Sequence, residues 1–567
     1  MFRTLLTTCA ALLPLGFLLP GHCAAEPNDL EVGVPMQVEV TVLEETGAQE
    51  DAVETDESAE KLPLGINLAS LHPRDTSVAF GDVFLQSSRW YPWNGDPTFG
   101  LRKRDRMALE GRGSMRKDAH GWPIIEDGKA IFTRIFEATN GRYPGGDYIC
   151  SWRGSGTLSF AGDARLRDVK VEKDELGKLH RGTVRVQPGR YGIAVVIESS
   201  DPEDHIRDIS LLLPGHDPEK GPFSAPFLER LEPFGVLRFM NWSSTYTNNG
   251  VWSERSQVTD CRQTGAGGVA LELMIELCNQ TGKDPWFCMP HLADDEFVRN
   301  FANMVRSELD PERTVYVEYS NECWNGIFPE TKWVNQRARE EGVRPADIVG
   351  QETSRDFEIW GEVFGVGLGD DESEGAAQQG LVRVIGAALH NPGFARGVMK
   401  AMESDYEAIA VAPYFGVRPG KDPVDRNSTA AELLAASRVN LQEHLKPRIA
   451  EHQRLTETAA KRLGHSVSLM AYEGGQTLIA RHSTTPGDAR LAFPEKTIKE
   501  AQYSHEMYVL YHELFDVCRA ANMELFVAFH LCGTFQSGST FGLLEWIEQP
   551  IAQSEKYRAM LQEWADD

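Results

Sequence analysis

The stretch Thr314 to Phe328, TVYVEYSNECWNGIF, decides the fold. It opens on β-branched and aromatic residues in the manner of a buried strand. It then places Asn321 and Glu322 where that strand gives out, with Trp324 two residues further on. A carboxylate half-buried at a strand end costs free energy unless it is paired, keeps its proton or takes part in chemistry. Which of these applies depends on whether a second carboxylate waits at a matching position.

Working outward, seven more runs have the same character: LPLGINLAS (62–70), GVLRFMNW (235–242), PWFCMPHLA (285–293), LVRVIGAALHNP (381–392), YEAIAVAPYFG (406–416), SVSLMAYEGGQ (466–476) and MELFVAFHLCG (523–533). Helix-forming stretches such as GVALELMIELCNQTG and DDEFVRNFANMVRSEL separate most of them. Alternating strands and helices predict parallel βα units, and eight such strands predict an α/β fold, the (β/α)8 or TIM barrel. Between strands one and two the texture changes. AIFTRIF, DYICSWRGSGTLSFAG, HRGTVRVQ, GIAVVIESS and IRDISLLLPG alternate with period two between Gly-rich turns, which predicts an inserted antiparallel β-sandwich. The sandwich either roofs or flanks the catalytic face, or braces the barrel without touching substrate.

The expected organisation is therefore an export signal (1–25), an acidic disordered leader (26–60), the start of the barrel (61–127), the sandwich (128–214) and the rest of the barrel (215–567). The first segment, MFRTLLTTCAALLPLGFLLPGHCAAEPND, has one Arg, an apolar run and small residues around Ala25. That run is too short and too Pro-broken for a spanning helix, so cleavage near Ala25 and secretion or periplasmic export are expected. His22 before Cys23 argues against a lipoprotein anchor. Residues 26 to 60 hold twelve Asp or Glu and no Lys or Arg, close to half of the net charge of −27. Such a segment buries too little apolar area to offset ordering entropy. The remainder is still acidic, which disfavours nucleic acid and anionic membrane as partners and suits a neutral substrate.

Seven of the nine cysteines lie beyond the signal. An odd, scattered set is no disulfide scaffold, although one or two bridges are compatible with export. Neither CxxC nor HExxH occurs, so no metal or other cofactor is expected.

Barrel sites form where strands end and βα loops begin. Glu322 ends strand four; Glu473 of LMAYEGGQ ends strand seven, with Gly474 and Gly475 letting the backbone turn behind it. Two carboxyls across a barrel mouth are the minimum equipment for glycosidic bond cleavage: one protonates the leaving oxygen while the other attacks the anomeric carbon. Strand alternation puts Glu318, Ser320 and Glu322 on one face, with Glu318 four residues inside the barrel, where Arg238 is its expected partner.

YSNECWN followed about 150 residues later by AYEGG resembles the clan A glycoside hydrolases, a likeness that covers roughly residues 62 to 120 and 215 to 560. The resemblance implies retaining cleavage of β-glycosidic bonds in a polysaccharide or oligosaccharide, with Glu322 as acid/base, Glu473 as nucleophile and Asn321 on the sugar 2-hydroxyl. It likewise implies that Arg238 and Tyr414 keep Glu473 ionised, while Glu322 beside Trp324 retains its proton. Cys323 and the sandwich depart from the clan's pattern. His291, after strand three, either lines the subsite floor or caps the core, and His530 raises the same alternatives. Trp324 and Trp546 are candidate sugar platforms, with Trp242 and Trp252 as further aromatics, although any one tryptophan more commonly fills space. Asp294 and Asp295 are read as the acidic start of the next helix. A transglycosylase uses the same residues, and a non-catalytic carbohydrate-binding barrel is the alternative from another class. Sugar identity rests with loops such as NGDPTFGLRKRDRM and DDESEGAAQQG.

Overall fold

The computed structural model describes residues 61–96, 115–126, 128–366, 380–418, 420–479, 493–535 and 540–565. The expected export signal, the acidic leader and most of the two loops just quoted lie outside these residues. Lys61–Asp567 forms one compact unit.

Eight parallel strands close into a barrel in chain order: Leu64–Asn67, Val236–Arg238, Asp284–Met289, Val315–Tyr319, Leu381–Gly386, Ala408–Val411, Ser468–Ala471 and Met523–Ala528. Strand one pairs with both strand two and strand eight, which closes the ring. Every strand is shorter than the apolar run that announces it, because the C-terminal residues of each run leave the ladder to build the mouth. Alternation divides the side chains. Val236, Trp286, Cys288, Val384, Ala408, Ala410, Met470, Tyr472, Leu525 and Val527 fill the interior. Leu237, Phe287, Val317, Ile385, Ile409, Leu469 and Phe526 join the larger core. The helices that cover the barrel start as their sequences suggest: the Asp294 side chain accepts from Phe297 N at 2.8 Å and caps Asp295–Glu308, with Asp295 in its first turn.

Between strands one and two the chain builds two four-stranded antiparallel sheets. One has the order Tyr91–Pro92, Ile131–Ile135, Ile193–Ser200, Gly156–Gly162; the other Arg207–Leu212, Gly146–Arg153, Gly177–Val186, Ala164–Asp174. Tyr148, Cys150 and Trp152 alternate inward and share the main core with Ile193, Val195 and Ile197. Tyr91–Pro92 pairs with Ile131–Ile135, so this sheet includes a strand from the stretch 61–127. A two-residue strand is too short to show a period.

The sandwich meets the barrel at loops one and eight, on the mouth side. Glu137 N donates to Pro73 O, Arg74 and Glu137 pair at 3.4 Å, and Arg142 pairs with the buried Glu545 at 2.8 Å. The sandwich segment that makes these contacts holds three non-glycine residues in left-handed backbone, Phe136 (φ 60), Ala138 (φ 56) and Asn140 (φ 54), each costing on the order of 1 kcal/mol or more. All seven cysteines among the described residues are free and buried, and the thiols pack as small apolar groups. No described helix is long and apolar enough to cross a membrane.

Candidate active site

Arg238 is the hub. It ends strand two, is fully buried, and donates from Nη1 to Asn67 Oδ1 (2.8 Å), from Nε and Nη2 to Glu318 Oε2 (3.1 and 2.8 Å), and from Nη2 to Asn321 Oδ1 (3.4 Å). Its Nη1 also lies 3.6 Å from Glu473 Oε2. Burial works against the guanidinium charge, but the acidic groups around it outweigh that and raise its pKa. Glu318 Oε2 further accepts from the Trp286 indole N–H at 3.0 Å. A side chain added at Gly386 would come within 2.8 Å of Glu318 Oε1, so strand five approaches this carboxylate closely enough to require glycine.

Glu322 reaches the mouth by a turn, not by strand alternation. The strand ends at Tyr319, and Ser320 (φ 55) and Glu322 (φ 39) are both left-handed, so the shared face expected for 318, 320 and 322 does not extend past the strand. Asn325 N closes the turn on Glu322 O at 2.7 Å. Both carboxylate oxygens accept: Oε1 from Tyr472 Oη at 2.6 Å, and Oε2 from Asn325 Nδ2 at 2.7 Å.

Glu473 lies two residues past strand seven and is buried. Oε1 accepts from Tyr414 Oη at 3.1 Å, and Oε2 has no hydrogen-bond partner among the described residues. Gly475 behind it sits at φ 130, with Tyr511 Oη 2.5 Å from where a Cβ would be. Burial, then the charge of Glu322, push the Glu473 carboxyl up to about 8, against the opposing pull of Arg238 and Tyr414. Arg238 and Tyr414 pull the Glu473 carboxyl down as expected, but Arg238 makes its short bonds to Glu318 and Asn67 and faces Glu473 at 3.6 Å, and burial outweighs the pair.

The structure brings Glu322, Glu473, Asn321, Arg238 and Tyr414 together around the mouth. Of the other candidates, Trp324 lies beside Glu322, while no described hydrogen bond ties the histidines or Trp546 to either glutamate. His291 is buried edge-on against Trp333, its pKa lowered by burial, with no hydrogen bond to either glutamate; it belongs to the core. Burial, then Lys556 and His72, lower His530 to about 3, so it stays neutral. Trp324 is half-buried, packed edge-on against Phe394 and beside Glu322 in a small cavity. Trp546 carries the Arg142 guanidinium over its ring at 5.4 Å, so the sandwich covers one of its faces. Trp242 stacks on Phe80 and donates to Ala69 O, and Trp252 lies under Arg255; both are packing residues.

Sequence reasoning missed Asn67, Trp286, Asn325 and Tyr472. Asn67 ends strand one and donates to Tyr472 O (2.9 Å) and Ala528 O (3.1 Å), tying strands seven and eight to Arg238. Scanning strand ends for any polar residue, instead of carboxylates alone, finds it. Nothing in sequence spacing pairs Tyr472 with Glu322. No described group of three or more His, Cys, Asp or Glu could hold a metal ion.

No protein-family model matches the chain, and no curated protein does. Solved structures that it resembles are (β/α)8-barrel glycoside hydrolases. They include a family 51 arabinofuranosidase from Xanthomonas axonopodis pv. citri (13% identity, TM-score 0.33, 55% of this chain and 60% of that one). A family 39 glycoside hydrolase from Bacteroides cellulosilyticus gives 11%, 0.34, 74% and 80%, and a broad-specificity endoglucanase from Clostridium acetobutylicum 10%, 0.34, 60% and 89%. The chain thus spans less than two thirds of the arabinofuranosidase's length. The functional reading rests on this chain's own side chains.

Proposed function

We propose that this protein is a glycoside hydrolase that cleaves β-glycosidic bonds of a polysaccharide or oligosaccharide with retention, Glu473 acting as nucleophile and Glu322 as acid/base. The observation that carries the reading is the pair itself. Two glutamates, one past the end of strand four and one past the end of strand seven, come together at one mouth, and among the described residues neither makes an ion pair at hydrogen-bond distance. A structural pair of acids would find bases at hydrogen-bond distance, as Glu318 does.

With a sugar across the mouth, Glu322 gives its proton to the glycosidic oxygen as a Glu473 oxygen attacks the anomeric carbon, and the aglycone leaves. Glu322, now ionised, takes a proton from water, which attacks the same carbon and releases Glu473. Arg238 and Tyr414 stabilise Glu473 as its charge returns. Asn321, its Oδ1 turned to Arg238, is left with Nδ2 to meet a sugar hydroxyl. Trp324 is a candidate platform. We further propose export, with cleavage near Ala25, and a substrate that is neutral.

The test is a screen of the purified protein on polysaccharides and aryl glycosides, with product sizes followed over time and Glu322→Gln and Glu473→Gln as controls. Near-native turnover by either variant on the true substrate refutes the assignment.

A further inference from the structure

We propose that Arg142 of the inserted sandwich is a positioning residue for the nucleophile: through the buried Glu545 it anchors loop eight, which in turn sets Tyr414 and the chain just past Glu473. The inference rests on the reading of Glu473 as nucleophile, and it makes the sandwich an integral part of the catalytic mouth instead of a detachable module.

Glu545 is the anchor. It lies in the loop that follows strand eight, is fully buried, and so needs its charge paired. Arg142 Nη1 approaches Oε1 at 2.8 Å, and Lys499 Nζ, from the helix Glu495–Gln502, approaches the same oxygen at 3.1 Å. Oε2 accepts from Tyr503 Oη at 2.6 Å, and Oε1 from Phe535 N at 3.3 Å. Thr76 of loop one donates from Oγ1 to the Glu545 carbonyl at 3.0 Å. Of these partners only Arg142 comes from the sandwich.

Arg142 is delivered to this place by a stiff segment. Phe136, Ala138 and Asn140 hold left-handed backbone, Phe136 stacks on Tyr143 at 4.6 Å, and Tyr143 Oη donates to Asp163 at 2.8 Å. Left-handed φ values at non-glycine residues persist only where the surroundings over-determine them, and such strain gathers where a group has to be placed accurately.

From Glu545 the loop runs back to the chemistry by two routes. Its arms are tied to each other, Gly533 N donating to Leu544 O at 2.9 Å and Leu544 N to Leu531 O at 2.8 Å. Between the arms, Phe541 packs edge-on against Tyr414 with ring centroids 6.0 Å apart, and Tyr414 Oη is the donor to Glu473 Oε1. The neighbouring Thr540 accepts at its carbonyl from Gln476 Nε2 at 2.7 Å and donates from Oγ1 to Leu478 O, so it grips the chain just past Glu473. Fixing Glu545 therefore fixes both the hydroxyl that aims the nucleophile and the backbone that carries it. A sandwich that only braced the barrel would leave these two places untouched when its contact is cut.

The test compares Arg142→Met, which keeps an apolar stem and removes the charge, with Glu545→Gln and the conservative Arg142→Lys. Two readouts are taken on the full chain: amide hydrogen exchange by mass spectrometry, which needs no substrate, and kcat and KM on the substrate found in the screen. Arg142→Met and Glu545→Gln are expected to exchange about tenfold faster in segments 529–547 and 474–478, with the rest of the barrel unchanged. Their kcat should fall by roughly tenfold to a hundredfold at nearly constant KM, the effect of a displaced nucleophile. Arg142→Lys should recover most of both. Exchange that rises evenly across the barrel, or stays as in the wild type in 474–478, overturns the proposal, and so does a KM that rises at constant kcat. If Arg142→Met does not fold, Glu545→Gln decides by the same readouts from the barrel side of the contact. A wild type that cleaves no glycoside while the exchange pattern is as expected sinks the hydrolase reading and leaves the coupling standing, so the two are separable.

Discussion

Glu473→Gln should make the ligand-free protein more stable, and increasingly so as pH rises. In the folded protein burial, then the charge of Glu322, push the Glu473 carboxyl up to about 8, against an ordinary value of 4.5. Between these values the folded chain holds a proton that the unfolded chain has released. The raised pKa therefore contributes stability that is fully present below the ordinary value and is lost as pH rises through the folded one. Each unit in that window removes about 1.36 kcal/mol. From pH 5 to 7 the wild type should lose on the order of 2 to 3 kcal/mol relative to a variant with an uncharged amide. Because Glu473 is buried, solvent does little to screen this. Glu322 stays in the variant but its interaction with a residue 473 carboxylate is gone, so the slope belongs to the pair.

The measurement is urea unfolding of both proteins at several pH values, followed by tryptophan fluorescence. The expected outcome is near-equal stability at the acid end and a gap that opens toward neutral pH in favour of Glu473→Gln. Parallel curves, or a wild type that gains on the variant with rising pH, refute the reasoning. A carboxyl kept in a place that weakens the fold is what a catalytic group looks like when stability and chemistry conflict.

Other outcomes follow from the same contacts. Glu322→Gln and Glu473→Gln should each lower kcat by several orders of magnitude with the fold intact by circular dichroism. Glu318→Gln should behave differently: it leaves the Arg238 charge buried beside a neutral amide, and a loss of roughly 3 to 5 kcal/mol in the unfolding free energy is expected along with activity. Azide should rescue Glu473→Gly on an activated aryl glycoside and give the inverted glycosyl azide, whereas rescue of Glu322→Gly should give the retained one; product NMR showing the reverse assigns the roles the other way round. In the first-formed product of a β-linked substrate, proton NMR taken before mutarotation should show the β-anomer, since direct attack by Glu473 inverts once and water inverts again.

The parts of the fold legible in the sequence are those that local pattern controls. Each barrel strand is a short apolar run bounded by breakers, and a run such as VYVEY needs no knowledge of its neighbours to be recognised. The glutamates at strand ends were legible for the same reason, since a polar residue closing an apolar run stands out. Tyr91–Pro92, the backbone reversal at Ser320 and Glu322, and the occupation of Trp546 by Arg142 were not, because each depends on a partner distant in the chain or on φ values that no residue type announces.

Protonation was the least legible property, and the reason lies in Arg238. Opposite charge near Glu473 suggests a low pKa, but a guanidinium has five donors, and here Asn67, Glu318 and Asn321 take four of them at hydrogen-bond distance. What Glu473 receives is a contact at 3.6 Å, too long for a hydrogen bond. Desolvation then outweighs attraction. Whether an arginine ionises a neighbouring acid is decided by which acceptors reach it first. In this barrel Asn67 of strand one and Glu318 of strand four hold it at hydrogen-bond distance and Glu473 does not, so burial prevails and the Glu473 carboxyl is pushed up.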